Sequence, residues 1–292
     1  MMLTTTNPSL LSVEHLKVIA DSYGQAEKEY PGVFQMGDAN MRKSVTIPHT
    51  GALSTWTTNV EGGSFNSDEI VEGDTAEFNL VIYDNSYDIT HESVRYDQYD
   101  VINAKPQKLV RGLLDAEEAA AAAVINNGFD TDTIYDGVYL FSNSHPLASS
   151  SSYGDNLTTG AISYANIKLA NLLLRNTVNE SNIRIRARAN KLWCAGNIEF
   201  DAMEILSSQN IAGEISNTKN ALPKMTVASL TEVTDGYWGV MDGSFRNLVM
   251  MWFEEPTFDR ERIPGTRNVK VWGYAAFQPG VEDWRGIVGS AG

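Results

Sequence analysis

A chain of 292 residues with 42% hydrophobic content carries enough apolar side chains to bury a substantial core, which excludes a disordered tail. Its 22 basic residues against 37 acidic ones give a formal charge of −15 and a pI near 4.6. Such a surface repels duplex nucleic acid, whose non-specific affinity comes from Lys and Arg displacing counterions.

The first residues, MMLTTTNPSLLS, have no basic n-region and no sustained apolar h-region, and no run approaches the roughly 18 apolar residues of a membrane span. No membrane partner is therefore expected, and the protein is expected to be cytoplasmic where it is made. The next stretch, SVEHLKVIADSYGQAEKEY, predicts a helix capped by Ser12, with Val13, Leu16, Ile19 and Ala20 as its apolar stripe and Pro31-Gly32 as its stop. An extended arm follows to about Thr58.

KSVTIPHTGALSTWTTNVEGGSFNSDEIVEGDTAEFNLVIYD places β-type runs on either side of a Gly-rich acidic centre, Glu61 to Asp74. This predicts a long two-stranded limb with a polar tip. An isolated hairpin has no second layer to cover Val45, Ile47, Leu53, Trp56, Ile70, Phe78, Leu80 and Ile82, so the limb is expected to lie on a neighbouring subunit. Trp56, Phe65, Glu61 and Asp74 are candidate inter-subunit contacts on that ground.

The strongest helix signal is NAKPQKLVRGLLDAEEAAAAAVINNGF, where Leu109, Val110, Leu113, Leu114, Val124 and Ile125 recur at helical spacing, Pro106 falls in a first turn and Gly128 ends the run. From Asn103 to Asn127 it spans about 37 Å. Lys105, Lys108 and Arg111 come early and Asp115, Glu117 and Glu118 late, against the macrodipole, so these charges are expected to be answered from outside the helix. The alanines are expected to pack closely on β structure. Farther on, SYANIKLANLLLRNTV and NIEFDAMEILSSQN predict helices, IRIRARANKLWCAG a strand, and KMTVASL, YWGVMD, NLVMMWFEE and VKVWGYAAF further strands.

Motifs for chemistry come close and fail. In FSNSHPLASSSS, Ser142 and Ser144 neighbour His145, yet no G-x-S-x-G elbow presents a nucleophile, and His145-Pro146 reads as a polar turn. HESVR has Arg95 where a zincin needs its second histidine. DTDTIYDG has Ile134 where a calcium loop needs an oxygen. No phosphate-cradling glycine motif exists, the four histidines are scattered, and the lone Cys194 reads as buried packing in a reducing compartment. No catalytic residue, metal or cofactor is expected. Arg184, Arg186 and Arg188 alternate, so a strand would set them on one face. They are candidate contacts for an acidic surface of another copy.

The order of parts resembles the major capsid protein of tailed bacteriophages, the Hong Kong 97 type of α+β fold. Locally, IYDGVYLFSNSHPL is similar to a signature of the Mu-like major head subunits through Tyr135, Asp136, Gly137, Phe141, His145 and Pro146, with Leu140 departing from the usual aromatic. KLWCAGNIEFDAMEILSSQN and AAFQPGVEDWRGIVGSAG resemble the same proteins.

The resemblance implies an N-terminal arm (1–43), an extended loop (44–90), a peripheral domain with a spine helix (91–140), an axial domain (141–254) and a returning β segment (255–292). It implies a virion wall of hexamers and pentamers made of many copies of the chain, enclosing double-stranded DNA, with portal, scaffolding and decoration proteins as further partners. A start at Met1 without a long helical pro-segment predicts no cleaved N-terminal scaffold. The rival readings are an encapsulin-like compartment shell and, from a different class, a serine hydrolase using Ser142 or Ser144.

Overall fold

In the computed structural model, which describes residues 8–50, 53, 56, 58–65, 67, 69–70, 72–96, 101–147, 150–211 and 218–292, helix α1 spans Pro8–Gly24 and a 3-10 turn covers Tyr30–Gly32. Strands β1 (Gln35–Asp38), β2 (Ser44–Thr50), β3 (Glu72–Asn79) and β4 (Ile82–Ile89) precede helices α2 (His91–Tyr96) and α3 (Val101–Asn126). Short strands β5 (His145–Leu147), β6 (Ser150–Gly154) and β7 (Leu157–Thr158) lead to α4 (Tyr164–Asn176), β8 (Lys191–Ala195) and α5 (Glu199–Ser207). Strands β9 (Thr226–Leu230), β10 (Trp238–Met241), β11 (Leu248–Arg262), β12 (Val269–Val281) and β13 (Ile287–Ser290) complete the described order.

Two sheets organise these elements. One has four strands in the order β1-β11-β12-β4, and the other has five in the order β7-β13-β10-β8-β9. A single apolar cluster joins them: Trp193, Met241 and Ile287 from the second sheet meet Leu248, Met250, Ala275 and Phe277 from the first. Ala121, Ala122 and Ile125 of α3 belong to the same cluster, as the expected close approach of the alanines requires. On the other face of the five-stranded sheet, α4 and α5 cover Leu192, Cys194, Trp238, Val240 and Val288. The sheet admits no Cβ at Gly239, where one would lie 2.1 Å from the Val288 carbonyl oxygen and 2.5 Å from the Trp193 ring.

Helix α1 starts earlier than its pattern suggests. Ser12 lies inside it, fully buried, and accepts a hydrogen bond from Arg260 Nη1 at 2.7 Å instead of capping the helix. The buried side is Leu11, Ser12, His15 and Ile19, while Val13 and Ala20 are exposed. Helix α3 begins at Val101, so Pro106 falls inside it rather than in a first turn. Two of its acidic charges are answered from outside, while Asp115 pairs within the helix with Arg111 at 2.7 Å. Glu117, fully buried, pairs with Lys28 Nζ at 2.7 Å and accepts from the Tyr23 and Tyr30 hydroxyls at 2.8 and 3.1 Å. Glu118 accepts from the backbone N–H groups of Glu29 and Tyr30.

Candidate assembly surface

The limb is built from β2 and β3, paired antiparallel from Ser44↔Asn79 to Thr50↔Glu72 with an irregularity between Pro48 and Thr50. Its base does not wait for a neighbour. Ala76 and Phe78 are buried among Val249, Met251, Phe253 and Ala276, and Val45, Ile47 and Leu80 pack partly against the same group. The base is also held by a ring stack of His49 on Tyr135, with centroids 4.3 Å apart, and by Asn79 N–H donating to the Gln278 side chain. This corrects the expectation that all the limb's apolar residues rest on another subunit. β3 places Ala76 and Phe78 on one side of the strand, and β11 and β12 of the same chain supply the second layer.

Beyond the base, the described residues of the limb are exposed. Trp56 is 100% exposed and Phe65 98%, with Leu53, Val60 and Ile70 also exposed. Glu61 is exposed too, and so is Asp74, which lies on β3. Two fully solvated large aromatics within one short stretch are costly as permanent surface, at roughly 25 cal/mol per Å² of apolar area left in water.

The arginine row has the expected exposure but not the expected backbone. Arg184, Arg186 and Arg188 face solvent while Ile183, Ile185, Ala187 and Ala189 turn inward. Yet the strand begins only at Lys191. Before it, an isolated bridge joins Val178 to Arg184, Arg186 takes φ +59°, and Asp242 Oδ2 accepts the Arg188 backbone N–H at 2.8 Å. The left-handed residue breaks any ladder while preserving the alternation. Among the described residues, none of the three guanidinium groups is in an ion pair.

The serine-histidine segment is a polar surface turn only in part: Asn143, Ser144 and Pro146 are exposed, while Ser142 and His145 are buried. His145 lies on β5, fully buried, its ring stacked 4.1 Å from Trp284. Its Nδ1 is 2.7 Å from Asp136 Oδ2 and its Nε2 3.1 Å from Asn156 Oδ1, so both nitrogens are engaged. Ser142 Oγ pairs with Ser144 Oγ at 3.0 Å. A ring with both nitrogens committed has no atom left to take a proton from either serine. Cys194 is buried as expected, and among the described residues no group of three metal-ligating side chains converges and no helix is long and apolar enough to cross a membrane.

Sequence reading missed two features. Arg285, 4% exposed, is held by Glu180 and by Asp283 at 3.1 Å. Exposed apolar groups also stand on two helices, Leu169 and Leu172 on α4 and Phe200 and Met203 on α5. Arg285 and Glu180 are 105 residues apart, and no local pattern marks them. The exposed leucines, by contrast, could be found as apolar residues outside the buried stripe of Ile167, Ala170 and Leu174.

The sequence model described as "Phage capsid protein" matches residues 74–290. The chain belongs to the phage capsid protein family. No curated protein sequence matches it. Solved structures share the fold of this capsid protein at low identity. The capsid of an empty GTA particle superposes with a TM-score of 0.57 at 12% identity, covering 91% of this chain and 90% of that one. The bacteriophage JBD30 capsid gives 0.54 at 8%, covering 91% of this chain. The capsid protein spans 65% of the length of that JBD30 chain. A virus-like particle from Pyrococcus furiosus gives 0.52 at 12%, covering 94% and 96%. The fold is thus the Hong Kong 97 type, and family membership makes this chain a structural protein, not an enzyme.

Proposed function

We propose that the chain is the repeated wall subunit of an icosahedral bacteriophage head, assembling as hexamers and pentamers around double-stranded DNA. The observation that carries this reading is the contrast within the limb: a base fixed by buried Phe78 and a tip with Trp56 and Phe65 in water, in a member of the phage capsid protein family. A subunit of a closed shell has a neighbour at every position to cover such a tip. Trp56 and Phe65 are the apolar contacts in this reading, Glu61 and Asp74 their acidic rim, and Arg184, Arg186 and Arg188 reach acidic surface on another copy.

The charge of −15 suits a container whose wall must not grip its contents, since phosphate backbone and acidic wall repel. Portal, scaffolding and decoration proteins are the further partners of such a shell, and assembly takes place in the host cytoplasm. The test is electron microscopy of the expressed protein with nuclease digestion of particles purified from virions. Closed shells protecting DNA support the reading. A chain that stays a monomer or small oligomer under every assembly condition and is absent from virions overturns it, and shells filled with protein cargo would make it a compartment.

A further inference from the structure

Helices α4 and α5 lie over different halves of one face of the five-stranded sheet. α4 packs on β7, β13 and β10, and α5 on β8 and β9, while β7 and β9 are the two edges of that sheet. Each helix carries an exposed apolar pair flanked by charge of a single sign. On α4, Leu169 and Leu172 are 54% and 47% exposed, with Lys168 and Arg175 exposed beside them at helical spacing. On α5, Phe200 and Met203 are 80% and 42% exposed, with Asp201 and Glu204 beside them. Among the described residues none of these four charged groups is in an ion pair. The two α4 leucines also line a cavity of about 360 Å³ with Leu157, Thr158, Leu173 and one exposed carboxylate, Asp155, at the β7 edge, so that the face keeps a net positive charge from Lys168 and Arg175.

We propose that these faces are the two halves of one head-to-tail contact, α5 of one copy seating Phe200 in the α4 cavity of the next; the proposal rests on the shell reading above. Charge selects this pairing over the symmetric ones. Two α4 faces together would oppose Lys168 and Arg175 to their own kind, and two α5 faces would oppose carboxylates, whereas α5 on α4 puts Asp201 and Glu204 against Lys168 and Arg175 around an apolar centre. Position selects it as well. Patches near opposite edges of one sheet let a copy engage two neighbours at once, which is the condition for a ring that closes.

The experiment uses the full chain with paired cysteines. Phe200→Cys and Leu172→Cys in one chain should give, on oxidation of assembled particles, a covalent ladder ending at five and six copies. The two single variants mixed should give dimers, and neither should cross-link alone. Dimers from one single variant would overturn the proposal, because they require like faces to meet. Independently, Asp201→Lys with Glu204→Lys should lower particle yield about tenfold or more, with the subunit's thermal unfolding unchanged, and adding Lys168→Glu with Arg175→Glu should restore it. Wild-type shells with no ladder and an indifferent charge reversal would sink this contact and leave the shell reading standing. A wild-type chain that forms no shells, together with a paired-cysteine chain that gives no cross-linked rings, would sink both.

Discussion

At the scale of the residue, Glu117 sets the strictest condition in the molecule. Its carboxylate is fully buried and takes bonds from Lys28, Tyr23 and Tyr30. Burial first, and then the charge of Glu117, push both tyrosine hydroxyls far above their ordinary range, so they remain donors throughout neutral and mildly basic pH. Lys28→Met should therefore cost about 3–5 kcal/mol in denaturant unfolding, because it strands a buried charge. Adding Glu117→Gln should recover much of the loss, since it removes the stranded charge, keeps an oxygen for one hydroxyl and offers an amide donor to the other. A single-variant loss of less than about 1 kcal/mol would show that the lysine matters little. Burial, with Glu199 adding to it, pushes the Cys194 thiol up to about 12. With so little thiolate at neutral pH, an aromatic disulfide reagent should leave the native chain unmodified and titrate one thiol after denaturation.

Elements differ in how much of themselves the chain declares locally. Helix α3 was legible because alanine propensity and apolar spacing agree, and β10 and the apolar halves of β11 and β12 because they are apolar runs between breakers; the polar second half of β11, out to Arg262, gave no such signal. The same logic gives a test: Ala121→Leu adds three carbons where nothing is exposed and should cost about 1–3 kcal/mol in thermal or denaturant unfolding. An unchanged transition would place the alanine face nearer solvent. Helix α1 was less legible, because its buried side includes Ser12 and His15, whose partners Arg260 and Tyr87 lie 248 and 72 residues away. His145-Pro146 misled for a similar reason. A turn signal is local, whereas the partners that draw His145 inside come from a loop, a strand edge and Trp284. The arginine alternation predicted exposure correctly and the ladder wrongly, since alternation records which side is buried and not whether a neighbouring strand is present.

For the whole molecule, the proposed wall makes the limb the part whose loss should block assembly without unfolding the subunit. Replacing residues 53–70 with a short Gly-Ser turn should leave unfolding unchanged, because Phe78 and Ala76 keep their places, and should abolish stable shells in electron micrographs. Normal particles from that variant would remove the tip from assembly. Arg184, Arg186 and Arg188 replaced together by Gln should weaken particles most at low salt, since exposed pairs are screened over about 10 Å at 0.1 M. Retained particle stability with lost DNA retention would assign these side chains to nucleic acid instead. The limb's platform also carries a consequence for timing. Phe78 rests beside Ala276, and β4 pairs its Ile89 with Val269 of β12, about 180 residues farther along, a distance that a ribosome adding 5–20 residues per second covers in roughly 10–40 s. Through that interval the nascent limb has no floor to stand on. In the proposed shell, translation itself therefore works as a delay clock, since the limb gains its support only after the strand beneath it has left the ribosome.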